Sequence, residues 1–176
     1  NISINHRVGL VWMTRAEVRN AFNETTIAEL TEAFRTLGAD PSVRAIVLAG
    51  EGPAFCAGAD LDWMRRMSQY SRDENLADAM KLATMLRVIY ECPKPVIARV
   101  HGAAFAGGVG LVAACDIAVA SRTAEFCLTE TKLGLIPATI APYVIRAMGP
   151  GNARRYFLTA EKFDASEAFR MGLVQD

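Results

Sequence analysis

The sequence is poor in the residues from which metal and nucleophile centres are usually assembled. It has two histidines, His6 and His101, and four cysteines, Cys56, Cys92, Cys115 and Cys127. No two of the cysteines form a CxxC pair and each lies in an apolar stretch, which favours buried free thiols over a zinc site or disulfides and fits a reducing, cytoplasmic setting. Net charge is lacking too: 19 basic residues balance 19 acidic ones. No overall field therefore recruits nucleic acid or an anionic membrane. No apolar run reaches the roughly 18 residues of a membrane span, and NISINHRVGL at the start has no basic region followed by an apolar signal segment. Linkers, low-complexity tracts and internal repeats are also missing, so residues 1–176 are expected to form one domain. What is present is core material, with 52% hydrophobic residues, enough to bury an ordinary interior.

Apolar periodicity divides the chain into alternating strands and helices. RVGLVWM (7–13) and VRAIVLAG (43–50) read as buried strands. Between them Ile27, Leu30, Phe34 and Leu37 recur at helical spacing. A polar turn follows at EGPAFCAGADL. A helical region then runs from about Asp62 to Glu91, broken near SQYSRDEN, with Ala79, Leu82, Ala83, Leu86, Ile89 and Tyr90 predicted on one face. The prolines of CPKP stop it, and PVIARV (95–100), DIAVAS (116–121) and EFCLT (125–129) read as further strands. From about Ala141 the pattern is helical, interrupted at Gly149-Pro150-Gly151. The order implies an α/β fold.

The segment GAAFAGGVGLVAACD (102–116) carries glycines but no acid, base or metal ligand before its final Cys115-Asp116. Gly108 to Ala113 formally matches a GxGxxA dinucleotide fingerprint. That motif should follow its strand directly, however, and here HGAAFA intervenes. A second glycine turn, AFCAGADL (54–61), follows a different strand and also leads into a helical pattern. Amides at helix N-termini lack intrahelical acceptors and carry partial positive charge, so one N–H from each turn could converge on a developing oxyanion.

These segments together, RVGLVWMTRAEVRNAFN, FCAGADL, PVIARVHGAAFAGGVGLVAACDIAVAS and ETKLGLIPATIAPYVIRAMG, resemble the crotonase, or enoyl-CoA hydratase/isomerase, superfamily. The resemblance implies a spiral of ββα units with a helical C-terminal part, of which the usual final helices would be absent here. It implies no tightly bound cofactor, coenzyme A entering as part of a thioester substrate, and a homotrimer or dimer of trimers. By the same resemblance the oxyanion donors are Ala59 and Gly107. Ala57 accepts from the adenine amino group through its carbonyl, and Glu17, Val18, Asp60, Leu61 and Gly110 border the ligand. Glu130 in LTETKLG is the proton carrier. Family hydratases usually have a second glutamate where this chain has Gly110, and a basic residue where it has Asp62. Arg15, Arg19, Arg65 and Arg66 are the candidate substitutes for that cation.

The expected activity is hydration of a branched 2-enoyl-CoA, because TETKLGLIPATIAPYVIRAMG and ARRYFLTAEKFDASEAFRMGLV resemble bacterial methylglutaconyl-CoA hydratases of leucine catabolism. Isomerisation of a 3-enoyl- to a 2-enoyl-CoA is the alternative, since it needs a single base. A non-catalytic acyl-CoA-binding or assembly subunit is a third. An exposed Glu130 turned away from the glycine turns would favour that last reading. His101 is expected to be a structural hydrogen-bonder and Cys56 a core residue. Ala138 stands where dehalogenating relatives have a nucleophilic aspartate, which argues against that chemistry.

Overall fold

The computed structural model describes all residues 1–176. Strands β1 (Ile2–Asn5), β2 (Val8–Met13), β3 (Ala45–Gly50), β5 (Val96–Val100) and β7 (Ile117–Ala120) form one sheet in the order β1-β2-β3-β5-β7. Strands β4 (Ala54–Cys56), β6 (Ala103–Phe105), β8 (Glu125–Cys127) and β9 (Phe163–Asp164) form a second in the order β4-β6-β8-β9. Only the first pair of the large sheet and the last pair of the small one are antiparallel. Each passage of the chain therefore lays one strand in the large sheet and the next in the small sheet before a helix returns it: β3 then β4, β5 then β6, β7 then β8. This is a spiral of ββα units.

The helices are α1 (Glu24–Ala39), α2 (Leu61–Met67), α3 (Arg72–Tyr90), α4 (Gly107–Ala114), α5 (Ala141–Met148), α6 (Pro150–Thr159) and α7 (Ala165–Arg170). Asn23 caps α1 by accepting the Thr26 N–H at 3.0 Å, and the stripe Ile27, Leu30, Phe34 and Leu37 is buried as its spacing predicts. Ser71 and Glu74 form a reciprocal capping box that starts α3 after the break in the long helical region. Gly149, at φ 78°, separates α5 from α6. No helix is long and apolar enough to cross a membrane.

Three expectations need correction. The buried face of α3 is Asp78, Met85, Leu86 and Ile89, while Ala79 and Tyr90 are exposed. Packing against α1 rotates the buried stripe away from the one the sequence alone suggests. AFC and AAF, taken as parts of turns, are β4 and β6; three residues are too few for alternation to register. Strands β1 and β9 also escape the pattern. β1 is exposed along its length, and β9 has two residues.

Candidate active site

β4, β6 and β8 are adjacent and parallel, so their C-terminal ends lie side by side at the roughly 4.8 Å spacing of neighbouring strands. One candidate residue follows each end: Ala59 after β4, Gly107 after β6, Glu130 after β8. All three line one cleft of about 230 Å3, with Ala57, Leu61, Met64, Leu82 and Ile140 also in its wall. The rim of parallel strand ends is where open α/β sheets usually present ligands.

The amide of Ala59 is freed by a single parallel bridge. Phe22 N–H donates to the Gly58 carbonyl at 2.9 Å and Asp60 N–H donates to the Phe22 carbonyl at 3.0 Å, so the Ala59 N–H between them has no acceptor in the chain. Asp60 then starts α2, its carboxylate accepting from the Asp62 and Trp63 amides at 2.9 and 3.2 Å. Arg15 anchors the same carboxylate at 2.8 Å. Burial pushes the Asp60 carboxyl upward, but the Arg15 bond and the two amides outweigh it and hold it below 3.8.

Gly107 is the first residue of α4, and its N–H therefore has no intrahelical acceptor. Ala106 turns the chain into this helix with φ 47° and ψ −118°, a conformation costly for any residue with a β-carbon. Ala106 also lines the cleft. The strain therefore sits one residue before the second candidate donor.

Glu130 opens a short 3-10 turn, Glu130–Leu133, rather than ending the strand, which stops at Cys127. Its side chain is half-buried, and one carboxylate oxygen, Oε2, is buried without a hydrogen-bond partner. Burial raises its pKa above the usual 4.5, opposed by a bond from its own amide. It is the only ionisable group in the cleft wall. A carboxyl so placed can hold and return a proton. An outward-turned Glu130 would suit a binding module; this one faces the cleft it shares with both turns.

The remaining sequence candidates take different places. Ala57 and Leu61 line the cleft, while Asp60 stands behind it as the cap of α2. Glu17 and Val18 are exposed on the 3-10 turn Ala16–Val18, outside the wall. That turn is tied to the cleft because the Ala57 N–H donates to the Arg19 carbonyl at 3.0 Å. Gly110 is buried and outside the wall, and a β-carbon built on it would collide with Ile140 Cγ2. Arg15, Arg65 and Arg66 are paired with Asp60, Asp62 and Glu24, leaving Arg19 as the one of the four without an ion pair. His101 holds the Gly52 carbonyl through Nε2 at 2.8 Å. Cys56 is fully buried, its thiol pushed up to about 12 by burial, which makes it inert as a nucleophile.

A sequence model of the enoyl-CoA hydratase/isomerase family matches residues 3–176. The chain belongs to the enoyl-CoA hydratase/isomerase family. Among its relatives is a protein of Alternaria alternata named enoyl-CoA hydratase ACTT6, 38% identical over 164 residues, covering 93% of this chain and 53% of the relative. Another is the crotonyl-CoA hydratase of Syntrophomonas wolfei, 35% identical over 170 residues, covering 96% of this chain and 64% of the relative. In structure the chain is similar to an enoyl-CoA hydratase from Shewanella pealeana, with a TM-score of 0.97, 43% identity, and coverage of 99% of this chain and 66% of that one. The chain thus spans about half to two thirds of the length of the curated relatives it matches. Its spiral is the crotonase fold.

Three features of the site are absent from the sequence reading. Phe22 forms the bridge that frees the Ala59 amide, Ala106 carries the strain before Gly107, and Ile140 fills the space beside Gly110. None has a local signal: Phe22 and Ile140 act through contacts made across the spiral, and the strain at Ala106 is a backbone angle that residue identity does not announce.

Proposed function

We propose that this chain is the catalytic core of an enoyl-CoA hydratase acting on a branched 2-enoyl-CoA thioester. The observation that carries the reading is the opening of Ala59, Gly107 and a half-buried Glu130 with an unpartnered oxygen onto one cleft. In this reaction Glu130, ionised, takes a proton from water as the water oxygen bonds to C3 of the substrate. The C2–C3 double-bond electrons shift toward the thioester carbonyl, whose oxygen becomes an enolate oxygen held by the Ala59 and Gly107 N–H groups. Collapse of the enolate takes the proton from Glu130 onto C2. The product is a 3-hydroxyacyl-CoA and the carboxylate is regenerated.

For the acyl group, the resemblance of the C-terminal segments favours methylglutaconyl-CoA. The apolar wall of Leu61, Met64 and Leu82 suits a branched chain. The terminal carboxylate of that ester would need a cation from outside the wall, where Glu130 is the sole charge. A homotrimer or dimer of trimers is part of the same proposal. Isomerisation is the second reading, and one observation favours it: apolar Ile140, not a water-holding group, fills the place beside Gly110. Glu130 would then take a proton from C2 of a 3-enoyl-CoA and return it at C4.

Turnover in water enriched in oxygen-18 separates the two. A 2-enoyl-CoA converted to a 3-hydroxyacyl-CoA carrying the heavy oxygen supports hydration. A 3-enoyl-CoA returned rapidly as an unlabelled 2-enoyl-CoA, with no hydration of the 2-enoyl ester, overturns it in favour of isomerisation.

A further inference from the structure

Ile140 is the residue immediately before α5 and is 2% exposed. Its carbonyl accepts the Tyr143 and Val144 amides, both at 3.1 Å, and the Ala141 N–H donates to Pro137 at 2.9 Å. The backbone that carries the side chain is therefore fixed on both sides. The side chain reaches α4 at Gly110, close enough that a β-carbon there would overlap Cγ2 and crowd Cβ at 2.8 Å. One surface of Ile140 thus closes on the helix while another lines the cleft.

Gly110 follows Gly107 by three residues, about 4.5 Å along the helix axis at 1.5 Å per residue. A thioester with its carbonyl oxygen at the Gly107 amide would place its acyl carbons within about one helical turn of Gly110. Pro137, Thr139 and Ile140 line the same cleft, and Ile140 stands against Gly110, one turn of α4 beyond Gly107. Ile140 is the one among them whose branched side chain is seated in a void left by a missing side chain. Removing its outer carbons would therefore open space over Gly110, where the three nearest atoms all belong to Ile140.

We infer that Ile140, seated on Gly110, is the size-determining residue of the acyl pocket and limits it to a short or compact acyl group. The inference rests on the proposal that the cleft receives an acyl-CoA. Shortening Ile140 deepens the pocket at its acyl end without touching Ala59, Gly107 or Glu130. Gly110 is the complementary partner, because a methyl group there competes for the space Ile140 occupies.

The test is binding of saturated acyl-CoA esters of increasing length, acetyl, butyryl and hexanoyl, measured by calorimetry on the unaltered chain and on Ile140→Val, Ile140→Ala, Gly110→Ala and the double variant Ile140→Ala with Gly110→Ala. Turnover of the matching enoyl esters is followed in parallel. One methylene in a hydrophobic pocket is worth about 10-fold, so the hexanoyl-to-butyryl affinity ratio should rise by about that factor in Ile140→Ala, with a smaller rise in Ile140→Val. Gly110→Ala should lower the melting temperature in the unaltered background. Added to Ile140→Ala, it should be tolerated and should move the ratio part of the way back. An unchanged ratio in folded Ile140→Ala and Ile140→Val, or equal tolerance of Gly110→Ala in both backgrounds, overturns the inference. Length-dependent binding that responds as expected, without turnover of any enoyl ester, supports the inference and overturns the catalytic reading alone. Absence of acyl-CoA binding by the unaltered chain overturns both.

Discussion

The ring of Phe22 occupies the space in which a side chain at Gly107 would begin: a β-carbon built on Gly107 would collide with Phe22 Cζ. Phe22 is fully buried and its backbone also frames the Ala59 amide, so one residue bears on both candidate donors. Gly107→Ala should therefore destabilise the fold by about 1–3 kcal/mol through overpacking, read as a lower denaturation midpoint. A cleaner probe of the donor replaces the 106–107 amide by an ester, which removes the N–H and keeps the shape. Turnover should fall about 100- to 1000-fold, and near-normal turnover would exclude this amide from oxyanion binding.

Glu130→Gln keeps the size of the side chain and removes the proposed proton carrier. Turnover should drop by about 100-fold or more while acyl-CoA affinity persists. Because burial raises the Glu130 pKa above 4.5, the acid limb of the unaltered protein's pH–rate profile should lie above that value, and it should vanish in the variant. The stability effect has a definite sign. The folded state holds this proton more tightly than the unfolded state, so stability falls as pH rises from the unfolded value through the folded one. Glu130→Gln should lack that fall, which paired denaturation curves across the acid range will reveal.

Ala106 pays backbone strain to present Gly107. Ala106→Gly should relieve it and stabilise the protein by about 1 kcal/mol, the conformational cost of a positive-φ alanine being partly offset by the greater chain entropy of glycine. In a chain of this size that corresponds to about 2–4 °C in melting temperature. Ala106→Val should move the melting temperature the other way. A lower melting temperature for the glycine variant would mean that the methyl group's contacts outweigh the strain.

Asp60 fastens the first turn. Asp60→Ala removes the cap of α2 and leaves Arg15 without its carboxylate, with an expected loss of about 2 kcal/mol. Asp60→Asn retains a capping oxygen and should lose less. Since Asp60 stays ionised below its usual 3.8, its contribution is present above that pH and is lost as pH falls through the folded-state value. Asp60→Asn should therefore flatten the most acidic part of the stability profile, measured by acid titration of the far-ultraviolet circular dichroism.

The helical stripe of α1, the long strands β2, β3 and β5, and the two glycine turns could all be read from the sequence, because each is specified by neighbours within one or two turns of chain. Choosing Ala59 and Gly107 as the donors within those turns needed the family resemblance, since every helix start leaves several amides free. Glu130 needed the family resemblance, as nothing local separates it from a solvated turn residue. The strands that align these three residues, β4 and β6, are three residues long, below the length at which alternation can be detected. The seat of Ile140 on Gly110 joins residues 30 apart in sequence. The rotation of α3 that buries Asp78 and Met85 is set by its packing against α1, information the helix does not carry alone.

The two candidate donor amides belong to cleft-lining residues that follow neighbouring strands, and on the proposed function this places half of the chemistry beyond ordinary genetic reach. A codon change at Ala59 or Gly107 alters what hangs from the α-carbon, yet every amino acid except proline retains the N–H. Drift at these positions can crowd the cleft or tilt a donor, but it rarely deletes one. Glu130 has no such protection, since a single base change can convert it to a residue that moves no proton. On the proposed function, a lineage descending from this chain would therefore lose catalysis before it lost the capacity to cradle a thioester, and inactive descendants would persist as acyl-CoA binders with both candidate donors in place.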